Sequence, residues 1–447
     1  RIYRYKAKDK AVYKVKLGEQ DYSNTSKWEV VDNLRITKVK EGRLWTIIAT
    51  DGSIYSLKLP ESSSNKIKVY GGKGIFAVSV AASFSFSIGR DSLAVSGGGA
   101  NAYNTILSDT TSNVSSSTLK AESGIVNVDA QSSSVIHSTV VSASIAAGVG
   151  DYAGCGIAVG GAEAKNYIGY NKDGENVNNS VTASLENSLI TGIAADELNL
   201  NATLLQDVFT VVFSGSVAVS KGSGIGGSLA GSGVLSENKV GIDAKAYISP
   251  FTDGKTKINP SVKARAASLT ANDQSIIYAH AGAAAIGFAF ADEQGGALSI
   301  GVSLARNTVD SDVDAHIYDT QFLGIENEEG DVRLNSSSNS QITTESWAAS
   351  VAVILGEIGG GLSGAGAEAT NIILGRTTAY ISESSINHYG DINVEARDSS
   401  TIDATIVGVA FSFGAGIGAS IGAGVTQNLI GWKAATYGEK ATSEPVE

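Results

Sequence analysis

Three aspartates, Asp310, Asp312 and Asp314, stand at alternate positions of the run VDSDVDAH. On a strand, such residues project from one face, roughly 7 Å between successive members. Oxygen-rich clusters suit Ca²⁺, so these three are the candidate metal ligands and calcium is the one cofactor the sequence permits. The plainer reading is three carboxylates on a solvated face. No calcium-binding nonapeptide of the GGxGxDxUx type is present, since GGGAN at Gly97 lacks the aspartate.

The other residue types that do chemistry are dispersed. His137, His280, His316 and His388 lack a second ligand at regular spacing. Glu326 to Asp331 and the pair Asp292-Glu293 sit beside glycines, as turn residues do. Glycoside cleavage needs a matched carboxylate pair, and nothing recurs in a way that picks one out. Ser216, after Gly215, has no partners that would make it a nucleophile elbow. The chain is therefore not read as an enzyme. Cys155 is the only cysteine, which excludes an intrachain disulfide. Its small apolar neighbours favour a buried, inert thiol. Sequons at Asn24, Asn113, Asn178, Asn201 and Asn335 permit glycosylation without requiring it.

Composition narrows the class. In 447 residues there are 52 glycines, 4 prolines and 7% aromatics, with a net charge of −12. Residues 1–68 hold 15 Lys or Arg and 8 Asp or Glu, a balance of +7, so the remainder carries −19. A nucleic-acid partner calls for a basic stripe, and the acidic balance argues against one. No apolar run of about 18 residues marks a membrane helix, and no signal peptide is visible. An opening on Arg1 without methionine is expected of a piece of something longer.

The elements behind these residues repeat. Val208 to Asn238, VFTVVFSGSVAVSKGSGIGGSLAGSGVLSEN, is the cleanest copy: period-two alternation through Val217 and Val219, then Lys221 to Gly224, then a second small-residue segment. The polar, glycine-rich connection suits a hairpin turn. About six copies close on Asn104, Asn166, Asn238, Asn307, Asn371 and Asn428, at gaps of 57–72 residues. A second anchor follows most of them: Val126–Ala130, Leu198–Ala202, Leu269–Asn272, Val332–Asn335 and Ile392–Ala396. Inserts near residues 170–179, 249–260 and 324–331 absorb the variable length, and inserts on one side of such an array often form its recognition face.

The fold expected is all-β: an elongated β-solenoid or a stack of β-hairpins. Residues 1–68 read as a small antiparallel β module or cap, with Asp51-Gly52 as a hairpin signal. Residues 69–437 are the repeat array, and 438–447 a polar tail.

The pattern SVAVS–GSGIGGSLA–N, followed by KVGIDAKAYI at Lys239 to Ile248 and by GDINVEA after a later copy, resembles repeats of very large secreted bacterial surface proteins. These are filamentous-haemagglutinin-like adhesins and related haemagglutinin-type β-solenoid exoproteins. The resemblance covers about Tyr3 to Trp432 and implies a secreted or surface-displayed structural or adhesive protein. The expected partners are further copies of itself, with cell-surface glycans or other envelope proteins as further candidates. Two rival readings stand beside it, an outer-membrane β-barrel and a polysaccharide-degrading β-helix. Few aromatics, and serine and glycine on both strand faces, argue against the barrel.

Overall fold

A computed structural model describes residues 3–5, 28–30, 35–37, 44–48, 54–58, 68–119, 124–186, 189–250 and 260–431. The polar tail lies outside these residues. The chain divides into two compact units, Arg1–Gly74 and Ile75–Glu447.

In the first unit Tyr3–Tyr5 pairs antiparallel with Trp28–Val30. A second antiparallel set joins Arg35–Thr37, Leu44–Ile48 and Ile54–Lys58, and the last of these pairs with Lys68 to Gly72. The strands on either side of Asp51-Gly52 are thus antiparallel neighbours.

The second unit is built otherwise. From Thr110 to Ile430 every described ladder is parallel, apart from one isolated antiparallel bridge between Tyr170 and Asn176. Three ladders matter. The long ladder runs through Ile125 to Val149, Glu197 to Lys221, Ala267 to Phe290, Val332 to Leu355 and Ile392 to Phe413. The asparagine ladder stacks Ala153 to Ile168, Ile225 to Val240, Gln294–Asp310, Ile358–Leu374 and Ile417–Ile430. A short ladder of five strands joins Thr110–Ser115, Asn179–Glu186, Ile242–Ser249, Val313–Tyr318 and Thr377–Ser382.

The connection at Lys221 to Gly224 is therefore no hairpin. Its two flanking strands hydrogen-bond to their counterparts in other copies, one copy-length away, and face each other across the interior. Alternation looks the same in both arrangements, because period two reports which face a residue takes, not which strand is its neighbour. The repeat anchors fall in register: Val128, Leu200, Leu269, Leu334 and Val394 form a single column.

Two interiors of different character follow. Where the long ladder faces the short one, the core is aliphatic, with Leu198, Leu200, Leu204, Leu185, Ile242 and Ile248 fully buried. Farther along, the long and asparagine ladders close on each other and the inward residues shrink. There Ser214, Ser216, Ala218 and Ser220 point inward, while Val217 and Val219 point out. The serines of this arm thus occupy one face only, and the outward face is apolar, contrary to the mixed faces expected from sequence.

Backbone proximity explains the inversion. A Cβ added to Gly156 would lie 2.3 Å from the Val219 carbonyl oxygen, one on Gly98 2.6 Å from that of Ala143, and one on Gly301 2.6 Å from that of Ala349. At these positions a side chain as large as valine would meet the opposite backbone, whereas a hydroxyl can bridge the two sheets. Ser232 Oγ donates to the Ser214 carbonyl at 2.8 Å, Ser142 Oγ to that of Gly98 at 2.8 Å, and Ser350 Oγ to that of Ser299 at 2.7 Å. Each such bond contributes about 1 kcal/mol net. Gly156→Val should accordingly cost about 3 kcal/mol or more. Gly233→Val, whose added Cβ meets nothing within 4 Å, should be neutral or stabilising. Urea unfolding of both variants checks the contrast.

Candidate functional site

The closing asparagines form a continuous interior hydrogen-bond column. Asn104 Nδ2 donates to Asn166 Oδ1 at 2.7 Å, Asn166 to Asn238 at 2.9 Å, Asn238 to Asn307 at 2.8 Å, Asn307 to Asn371 at 2.9 Å and Asn371 to Asn428 at 2.8 Å. Parallel, in-register stacking puts each amide directly above the last, so one donates while the next accepts. Thr210 and Thr344 hydroxyls complete the column, donating to Asn238 and Asn371 at 2.6 and 2.7 Å. These asparagines hold the copies in register.

The aspartate triad does not share one strand. Chain pairing breaks at Ser311 and Asp312, so Asp310 ends the strand Gln294–Asp310 while Asp314 lies in Val313–Tyr318. Their partners diverge. Asp310 acts on the Tyr170 hydroxyl. Asp312 accepts from the Arg376 backbone N–H at 2.8 Å, with that guanidinium 3.6 Å away. Asp314 accepts from Thr378 Oγ1 at 2.6 Å and meets His316 Nδ1. Burial pushes the Asp314 carboxyl up, but the bonds from His316 and Thr378 outweigh it and hold it below its ordinary value. Among the described residues no three His, Cys, Asp or Glu side chains are grouped as a metal ion requires.

A column of rings stands on the same face of the short ladder. Tyr247 and His316 stack at 5.0 Å and 2°, and His316 and Tyr380 at 4.8 Å and 7°. The Tyr247 hydroxyl donates to Glu186 at 2.6 Å, and its acidity is suppressed first by burial and then by that carboxylate. The recurrence Ala246-Tyr247-Ile248, Ala315-His316-Ile317 and Ala379-Tyr380-Ile381 is the signal in the sequence for this column. Two further histidines join rings on the long ladder: His137 lies 5.1 Å from Phe76 and 5.5 Å from Phe209, and His280 lies 5.8 Å from Phe209.

Three further placements bear on function. Cys155 is partly exposed on the outward face of the asparagine ladder rather than buried. Its thiol is still pushed up by partial burial. The inserts occupy three different junctions: one between the asparagine and short ladders at Tyr170 to Asn178, one leading into the long ladder at Gly324 to Asp331, and a third at 251–259, outside the described residues. Finally, Thr401–Phe413 and Ile417–Ile430 have one parallel neighbour each among the described residues, so their outer edges hold backbone groups available to another strand.

No family model matches this chain, and no curated protein and no solved structure matches it.

Proposed function

We infer that the protein is an extracellular structural or adhesive repeat protein, a β-solenoid whose copies wind one per 57–72 residues into a surface fibre, sheath or stalk. The observation that carries this reading is the asparagine column, six residues in unbroken hydrogen-bonded succession. Such a column has no catalytic use; it fixes register along a stack. Stiffness then comes from parallel ladders and serine bridges. Growth comes from strand addition at the edge of Thr401–Phe413 and Ile417–Ile430. The parallel ladders favour this over a membrane barrel, whose strands run antiparallel. Cell-surface glycans or envelope proteins are the external partners proposed.

Ile406 tests strand addition. It points inward on the edge copy, packed against Ala348, Ala365 and Ala367. A lysine there reaches water while the edge is open and is buried once another chain covers it, the device by which natural edges block pairing. Negative-stain microscopy should show threads for the parent and folded single particles for Ile406→Lys. Threads unaffected by the substitution, or a parent that never forms them, would defeat the proposal.

A further inference from the structure

The arm formed by the long and asparagine ladders is apolar on both outer faces, and the faces differ in relief. On the long ladder, Val217 and Val219 share columns with Ile286, Phe288, Val351 and Val353, two bulky columns beside the small one of Gly215, Ala284 and Ala349. On the asparagine ladder one column holds Leu229, Leu298 and Leu362. The next two read Gly231, Ile300, Gly364 and Gly233, Val302, Gly366. Exposure is substantial: Leu362 is 50%, Ile300 46% and Val302 38% accessible. A shallow groove of about 530 Å³ lies at Gly233, lined also by Gly161, Leu235 and Val302, with Glu163 at its margin.

No close approach among the described residues requires glycine at these positions. A Cβ at Gly231, Gly233, Gly364 or Gly366 would meet nothing within 4 Å, unlike one at Gly156 or Gly98. Glycine in a strand interior weakens it, and typically marks a place where another backbone or a ligand approaches. Valleys one residue deep, beside ridges of leucine and isoleucine, match the relief of a second sheet face.

We propose that the glycine-grooved face of one copy receives the bulky long-ladder face of a second copy, side by side. Five strands at about 4.8 Å and about nine residues at about 3.3 Å give roughly 700 Å² per face. About 1,400 Å² in all is then covered, within the range of specific interfaces. Because the two faces are different surfaces, the contact is head-to-tail, and copies add in the lateral direction unless the rotation between them closes a ring. Lipid is the weaker occupant: strand edges in hydrocarbon leave backbone groups unsatisfied, and a bilayer gains nothing from glycine valleys. The contact goes beyond the end-to-end growth proposed above, since it uses strand faces and leaves the edges free.

Filling the valleys discriminates between occupants. In the full chain carrying Gly231→Ile, Gly233→Ile, Gly364→Ile and Gly366→Ile, each new side chain enters open space and adds apolar surface. Lateral bundles seen by microscopy should disappear while single threads remain. Sedimentation should show self-association at least about tenfold weaker, equivalent to about 1.4 kcal/mol. Bundling equal to or stronger than the parent's overturns the proposal, as does a parent that stays unbundled at about 100 µM. So does a parent that floats with phosphatidylcholine vesicles and a filled variant that floats at least as well. Cys155 gives an independent readout in the unaltered chain, since it lies on the grooved face in register with Gly227. Its labelling by a thiol reagent should slow at least about tenfold on bundling, and an unchanged rate overturns the proposal.

Discussion

Replacing Asn238 with leucine is expected to lower stability by about 4 kcal/mol, whereas the same change at Asn428 is expected to cost under about 1 kcal/mol. Asn238 is fully buried. Its carbonyl accepts from Asn166 at 2.9 Å and from Thr210 at 2.6 Å, and its amide donates to Asn307 at 2.8 Å. Leucine has nearly the same shape, so the loss is of hydrogen bonds, not volume. It strands the Thr210 hydroxyl without an acceptor and Asn307 Oδ1 without that donor, and each buried group left unmatched costs about 1–3 kcal/mol. At Asn428 the side chain is exposed, and water replaces the single bond from Asn371. Denaturant unfolding of the two variants side by side is the measurement. Equal costs would mean that the column is not a register device.

Stability should fall as pH rises from about 4 to about 6.5, the reverse of ordinary acid denaturation. Asp273 is fully buried, and burial raises its carboxyl to about 6 despite bonds from Ser275 at 2.6 Å and Ser340 at 2.7 Å. A folded carboxyl that holds its proton more tightly than the unfolded one stabilises fully below about pH 4. That contribution is lost as pH passes about 6, and it is on the order of 3 kcal/mol. Asp207 moves the same way, also to about 6 through burial, but solvent reaches part of its side chain, so Asp273 carries the larger share. Asp314 and Glu163, both held below their ordinary values, act only at lower pH, where acid begins to destabilise. Asp273→Asn should flatten the decline and raise the melting temperature at pH 7.5 while changing little at pH 4. A parent whose melting temperature climbs steadily from pH 4 to 7 would refute the assignment.

Much of this architecture was legible in the residues, and what was not has identifiable physical causes. The closing asparagines and the anchors such as Leu198–Ala202 mark register directly, because a parallel stack places equivalent residues in contact. Strand partners were not legible: Lys221 to Gly224 suits a tight hairpin and an open arch equally, and hydrogen-bonding direction leaves no trace in alternation. Face assignment failed for a second reason. The mixed faces expected of these strands separate because the backbones come very close at positions such as Gly156 and Gly98, so Ser216 and Ala218 take the interior and Val217 and Val219 the outside. The three aspartates read as one strand face only if alternation is extended across Ser311 and Asp312, where the strand ends. In the Tyr247, His316 and Tyr380 column, histidine in the middle copy disguises the aromatic repeat.

Parallel stacking also decides how the array answers a mechanical load. From Thr110 to Ile430 the described parallel ladders all run between copies, so tension applied through the backbone meets one copy's rungs at a time, and peeling proceeds in discrete events. Each event frees 57–72 residues, about 200–250 Å of extended chain. The uneven gaps between marker asparagines would thus be written out as a sequence of unequal extensions, a ruler whose graduations are set by the inserts.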